Sequence, residues 1–224
     1  MTQIVTDFPA INYRRLCRTQ HWQAFTPMEP RMTTSTDELA QLTREFELAQ
    51  QRLAEARRRA TGGGIVAPYT FHLAPSGAPV TLAQLLGAKR DLLVVHNMGA
   101  KCSYCTMWAD GYAGLYKHIA DRAAFVLATP DEPAAAGAFA SARHWPFPVV
   151  STAGAGSFHL DMGFGRADGG VIPGISAFHR RDDGTIIRSC RSQQFGPGDP
   201  FCPAWPMFDL LEGGAGEWQP KFHY

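Results

Sequence analysis

The sequence predicts an α/β protein: a central mixed sheet flanked by helices, with one helix added on the N-terminal side. Three observations carry that expectation. From Val66 onward, short apolar segments alternate with helix-like ones, a texture that implies crossover units and a largely parallel sheet. Hydrophobic residues are 45% of the 224 and charged residues 18%, enough apolar material for one sizeable core. Ahead of Val66, residues 36–60 have the periodicity of a single amphipathic helix.

Residues 1–35 read as an irregular arm, with Pro9, Pro27 and Pro30 and scattered aromatics but no period. Met32, just ahead of Thr33-Thr34-Ser35, reads as an alternative translation start. Ser35-Thr36-Asp37-Glu38 has the form of a capping box, in which a hydroxyl and a carboxylate three residues on satisfy unpaired backbone donors at a helix start. Leu39, Leu42, Phe46, Ala49, Leu53, Ala56 and Ala60 then recur at alternating spacings of three and four, one narrow stripe that Gly62-Gly63-Gly64 terminates. A stripe this short and alanine-rich favours packing against the chain's own domain, with a homodimer through this helix as the alternative. Arg57, Arg58 and Arg59 suit the negative end of the helix dipole and read as a solvated end.

Residues 61–224 read as the main domain. Strands are expected at Tyr69–Leu73, Asp91–Asn97, Ala124–Thr129, Pro148–Thr152 and Gly174–Arg180, the last paired with Thr185–Arg188 across the turn Asp182-Asp183-Gly184. Helices are expected at Thr81–Leu86, Ser103–Ile119 and Pro133–His144. Residues 153–170 read as a loose segment. From Arg191 a tail rich in Gly, Pro and aromatics wraps the surface, with a short helix around Met207–Glu212.

A net charge of +1 gives no broad electrostatic footing for nucleic acid. No apolar stretch approaches the roughly 20 residues of a membrane span, and no secretory signal pattern opens the chain, so a cytoplasmic protein is expected. Five cysteines in a chain with an ample core do not form a structural disulfide framework. In a reducing compartment, Cys102-Ser103-Tyr104-Cys105 is instead a catalytic or metal-binding pair.

Placed between an apolar strand and a helix, the first cysteine meets unpaired backbone N–H groups and the positive end of the dipole, which lowers a thiol pKa from about 8.5. Cys102 is the expected nucleophile. Lys101 adds a favourable field, and Cys105, one turn inward on the same helix face, is the resolving thiol.

The Lys-Cys-Ser-Tyr-Cys run resembles the active-site turn of thioredoxins and glutaredoxins, and Ile172-Pro173 with Phe178 and Gly184 resembles the thioredoxin segment that bears a cis-proline. Together with the Arg-rich helix, Trp108-Ala109-Asp110, Trp145-Pro146-Phe147-Pro148 and Pro173-Gly174-Ile175-Ser176-Ala177-Phe178, the chain is similar to a bacterial thioredoxin-like family known as domain of unknown function 899. The resemblance covers roughly residues 36–190. It implies a thioredoxin-like fold, a cis Ile172–Pro173 bond facing the dithiol, and backbone there for docking an extended substrate. Lys101, Ser103-Tyr104 and Gly174 depart from thioredoxin, which leaves substrate and potential open.

His96 lies six residues before Cys102, the offset at which thioredoxin has a buried acid, and is a candidate base for Cys105. The competing reading is a hydrogen-bonded core histidine on the strand face of Leu92 and Val94. Tyr104 is expected to be exposed and to contact the substrate, Trp108 to pack and Asp110 to lie on the surface. Cys17, Cys190 and Cys202 read as inert or buried thiols, and His72, His118, His144, His159 and His179 form no ligand pair.

The expected function is thiol–disulfide exchange on a protein or small-molecule disulfide or thiol, with no cofactor. A peroxiredoxin-like peroxidase is the alternative, although Val95 and Gly99 stand where a P-x-x-x-[ST]-x-x-C loop needs its Pro and Ser/Thr. A non-catalytic module that binds metal through Cys102 and Cys105, with His96 or a distant cysteine, is the third reading. Structural zinc wants four ligands, of which two are at ligand spacing.

Overall fold

The computed structural model describes residues 35–60 and 64–224. The expected arm, Met32 and the first two glycines of the triplet lie outside the described residues. Helix α1 spans Thr36–Arg59. Ser35 Oγ accepts the Glu38 N–H at 3.1 Å, the serine half of the expected capping box. No α1 side chain is buried, and Leu39 and Phe46 are 61% and 60% exposed. A boundary between two compact units follows Gln51; the second, Arg52–Tyr224, holds the sheet. Within that second unit Arg57 is not part of a wholly solvated end. Its guanidinium lies 5.8 Å over the Phe201 ring and reaches Gln194 Oε1 at 3.3 Å.

The strands are β1 (Thr70–Leu73), β2 (Pro79–Thr81), β3 (Asp91–His96), β4 (Ala124–Thr129), β5 (Val149–Ser151), β6 (Gly174–Arg180) and β7 (Ile186–Ser192). They form one sheet in the order β2-β1-β5-β4-β3-β6-β7. Pairing is parallel for β3 with β4 and β4 with β5, and antiparallel elsewhere. The sheet is thus mixed, and parallel only at its centre. Tight hairpins need antiparallel partners, so β1–β2 and β6–β7 supply the two flanks. A parallel β3–helix–β4 crossover, with the β6–β7 hairpin laid antiparallel on the other side of β3, is a thioredoxin-like fold.

The helices after α1 are α2 (Leu82–Leu86), α3 (Ser103–Arg122), α4 (Pro133–Ala142), α5 (Phe158–Asp161) and α6 (Ala204–Phe208). β2 and α5 were not expected: Pro79-Val80-Thr81 follows directly on a turn with a single large apolar residue, and Phe158–Asp161 sits inside a glycine-rich stretch. The last helix starts three residues earlier than expected, since Pro206 sits in its first turn, where a missing N–H costs nothing.

Period-two alternation in β3 divides the core. Val95, with Leu93 packed beside it, belongs to the cluster under α3 and α4, with Phe125, Leu127, Phe147 and Val149. Leu92 and Val94 face the other cluster, built on Phe71, Phe158, Phe164 and Phe178. Those four phenylalanines are all at most 1% exposed, and burying each contributes roughly 1.5–3 kcal/mol.

A candidate dithiol site at the start of α3

After His96 the chain leaves β3 through a turn fixed at three points. Asn97 N–H donates to Ala128 O at 2.9 Å, and Asn97 Oδ1 accepts the Gly99 N–H at 2.7 Å. Gly99 has φ +103°, which L side chains rarely adopt. Ala100 N–H donates to Asp131 Oδ2 at 2.8 Å, and the Thr129 hydroxyl donates to the same oxygen at 2.8 Å. The turn thereby presents Cys102 as the N-cap of α3, in extended conformation.

Each sulfur of the pair receives a backbone donor. Cys102 Sγ accepts the Cys105 N–H at 3.2 Å, and Cys105 Sγ accepts the Met98 N–H at 3.5 Å. Neither cysteine is in a disulfide. Donors aimed at sulfur at a helix start favour the thiolate, the nucleophilic form. Thr106 anchors the first turn, its N–H and hydroxyl donating to Cys102 O at 3.0 and 2.9 Å.

Both thiols are nevertheless covered, each only 3% exposed. The C-terminal tail packs on neighbouring residues of the same cluster. Trp205 stacks on Tyr104, ring centroids 6.3 Å apart, and Phe195 packs on Trp108 at 4.9 Å. Trp108 Nε1–H donates to Asp199 Oδ2 at 2.8 Å. Asp199 also accepts Phe201 N–H at 2.7 Å and Gly196 N–H at 3.3 Å, yet burial pushes its carboxyl above the usual carboxylate range. Burial likewise raises the Cys202 thiol, and the nearby Asp199 adds to it. A small crevice flanks the turn, lined by Asn97, Gly99, Ala100, Thr106, Asp131 and Trp145 among others.

Several expected site residues are placed differently. Tyr104 is buried under Trp205, 7% exposed, rather than presented to a substrate. Lys101 is exposed. Ile172–Pro173 is trans; the cis bond among the described residues is Ala74–Pro75. The trans form suits a straight entry into β6, because Ile172 N–H donates to Phe164 O at 2.6 Å and Val171 bridges Gly165. Asp110 is half-buried rather than on the surface: it binds the Arg143 guanidinium through both oxygens and accepts Trp145 Nε1–H at 2.8 Å.

His96 does not face the dithiol. Its ring stacks on Phe164 with centroids 3.8 Å apart and on Phe158 at 5.4 Å, in the cluster across the sheet from α3. It belongs to a directed chain of hydrogen bonds. The Thr152 hydroxyl donates to Thr129 O at 3.1 Å, so it accepts from His159 Nε2–H at 2.9 Å. His159 Nδ1 is then an acceptor for His96 Nδ1–H at 2.9 Å, and His96 Nε2 accepts the Ser176 hydroxyl at 2.9 Å. The Nδ1–Nδ1 contact needs one acceptor nitrogen, so the two rings cannot both be charged. Burial, together with His159, Arg188 and Arg191, holds His96 well below its usual range, and burial brings His159 down to about 4.

Asp199, Cys202 and Trp205 are the site residues that sequence reasoning missed. Their mutual spacing of three was the available signal, inside a tail whose glycines and prolines mask any longer period. No group of three His, Cys, Asp or Glu side chains able to hold a metal ion occurs among the described residues. Nor is any helix there long and apolar enough to cross a membrane.

One family model, described as a bacterial protein of unknown function (DUF899), matches residues 29–223. No curated protein matches the chain. Among solved structures, peroxidoxin BcpB from Mycobacterium tuberculosis is similar at 23% identity and a TM-score of 0.45, covering 57% of this chain and 84% of that one. A cysteine-to-serine mutant of Xanthomonas campestris peroxiredoxin Q is similar at 16% identity and 0.46, covering 58% and 89%. An uncharacterized conserved protein from Geobacillus kaustophilus is similar at 16% and 0.46, covering 62% and 71%.

Proposed function

The chain therefore belongs to that bacterial family of unknown function, and we propose that it is a thiol–disulfide oxidoreductase with Cys102 as nucleophile and Cys105 as resolving thiol. One observation carries the reading: Cys102 caps α3 and its Sγ accepts the backbone N–H of Cys105. That geometry stabilises a thiolate at the position where the chemistry needs one, and keeps the resolving thiol one helical turn away.

The thiolate of Cys102 attacks one sulfur of a substrate disulfide, forming a mixed disulfide and expelling the other sulfur as a thiolate. Cys105, deprotonated, then attacks Cys102 Sγ. The Cys102–Cys105 bond forms, the second substrate sulfur leaves as a thiolate, and solvent protonates both products. Two electrons pass from the dithiol to the substrate. His96 takes no part, being across the sheet. Because Trp205 and Phe195 lie over this helix face, access to Cys102 requires the tail to shift.

The test is turnover of a small disulfide with dithiothreitol as electron donor, alongside hydrogen peroxide in a parallel assay. Disulfide turnover lost in Cys102→Ser and trapped as a mixed disulfide in Cys105→Ser supports the proposal. Cys102-dependent turnover of peroxide alone would replace it with a peroxidase, and no turnover of either would overturn it.

A further inference from the structure

Cys102 and Cys105 share their cluster with a third buried thiol, Cys202, which is 3% exposed and is not in a disulfide. Its place along α3 follows from the contacts on either side of it. The tail meets α3 at Trp108 through Asp199 and at Tyr104 through Trp205. Cys202 is midway between those two tail residues, and Cys105 lies between their two helix partners. Cys202 therefore lies on the stretch of tail that meets α3 between Tyr104 and Trp108, the stretch that carries Cys105, and belongs to the same buried cluster.

A second observation comes from Tyr112, two turns further along the same face of α3. It is 6% exposed, and its hydroxyl is buried without a hydrogen-bond partner, as is the indole N–H of Trp205. Burial above all, and then the neighbouring Asp199, Cys202 and Cys105, raise the Tyr112 phenol well above its ordinary range. Two unsatisfied donors beside two thiols are costly in a reduced core.

We propose that Cys202 is a third thiol of the redox centre, and that it takes over the disulfide from Cys102 by forming a Cys105–Cys202 bond. This rests on the dithiol reading above. Cys202, its proton passing to the Asp199 carboxylate, attacks Cys105 Sγ of the Cys102–Cys105 disulfide. The Cys105–Cys202 bond forms, the Cys102–Cys105 bond breaks, and Cys102 leaves as a thiolate onto the Cys105 N–H that already faces its sulfur. One disulfide replaces another, so the only oxidant is the substrate disulfide that made the first. The exchange fastens the tail covalently to α3, converting a packed cover into a latched one in the oxidised protein.

The experiment maps disulfides after oxidation by diamide, which accepts two electrons and two protons from a thiol pair. Wild type, Cys102→Ser and Cys202→Ser are oxidised, alkylated under denaturing conditions, digested with trypsin without reduction, and analysed by mass spectrometry. Trypsin places Cys102 and Cys105 on peptide 102–117, Cys202 on 192–221 and Cys190 on 189–191. Expected are 102–117 joined to 192–221 in wild type and in Cys102→Ser, and 102–117 lighter by two hydrogens in Cys202→Ser. An internal bond alone in wild type, with Cys202 fully alkylated in Cys102→Ser, would overturn the latch and leave the dithiol reading standing. The joined peptides in Cys102→Ser, with no internal bond in Cys202→Ser, would remove the dithiol reading and the exchange with it, leaving a direct Cys105–Cys202 bond in their place.

Discussion

Residue by residue, the clearest lesson is His96, whose offset from Cys102 and whose strand face point to different roles. The offset suggests a base for Cys105. The face, shared with Leu92 and Val94, sends the ring across the sheet to Phe158 and Phe164, where it bonds His159 and Ser176. Parity in a strand decides which side a residue serves, and it was readable in the sequence. His96→Phe keeps the stacked shape but strips Ser176 and His159 of a partner. It is expected to cost about 1–3 kcal/mol, seen as a lower urea midpoint at unchanged slope, while the alkylation rate of Cys102 stays as in wild type. Slowed alkylation at unchanged stability would return His96 to the chemistry. Tyr104 is the opposite case, because no local pattern announces burial by Trp205, a residue about a hundred positions away.

Elements long enough to show a period were legible: α1 and α3, the Leu/Val runs of β3 and β4, and β6, whose bounds coincide with those expected. β2 and α5 were not, and neither was the trans geometry of Pro173, since both depend on tertiary neighbours. The entry to β6 shows how tight those neighbours are. A Cβ at Gly174 would lie 2.3 Å from Phe164 Cε1 and 2.5 Å from Ser192 O. One of those atoms is backbone in the paired strand β7, so it cannot swing aside. Gly174→Ala is therefore expected to destabilise by about 1–3 kcal/mol, the range for overpacking, measured as a fall in Tm; an unchanged Tm would show that the strands part without cost. The tail admits a separate test. Trp205→Ala removes the ring stacked on Tyr104 and should raise the alkylation rate of the reduced thiols by about tenfold, as local opening becomes easier by about 1.4 kcal/mol. An unaltered rate would mean that some other segment limits access.

At the scale of the whole molecule, the hydrogen-bonded chain from Ser176 to Thr129 joins β6, β3, α5, the end of β5 and β4, so its protonation state bears on the entire sheet. Both histidines have folded pKa values below the unfolded 6.5: His159 at about 4, and His96 lower than normal by burial and by His159, Arg188 and Arg191. On acidification the unfolded chain takes up protons first. Stability is then complete above about pH 6.5 and drains as the pH falls toward 4, below which His159 protonates in the fold as well. The gap between 6.5 and about 4 for His159 corresponds to at most about 3 kcal/mol. Asp91 acts in a lower window. Its carboxyl, partly desolvated, is held below the usual 3.8 by bonds from His179 and Arg122, so its share is lost only as the pH falls through that range. Urea unfolding from about pH 7.5 down to about pH 2.5 separates the two, with the steep loss expected between about 6.5 and 4 in wild type and a shallower one in His159→Gln. A profile flat across that interval would mean the two rings are charged in the native protein, which the single direction of their hydrogen bonds forbids.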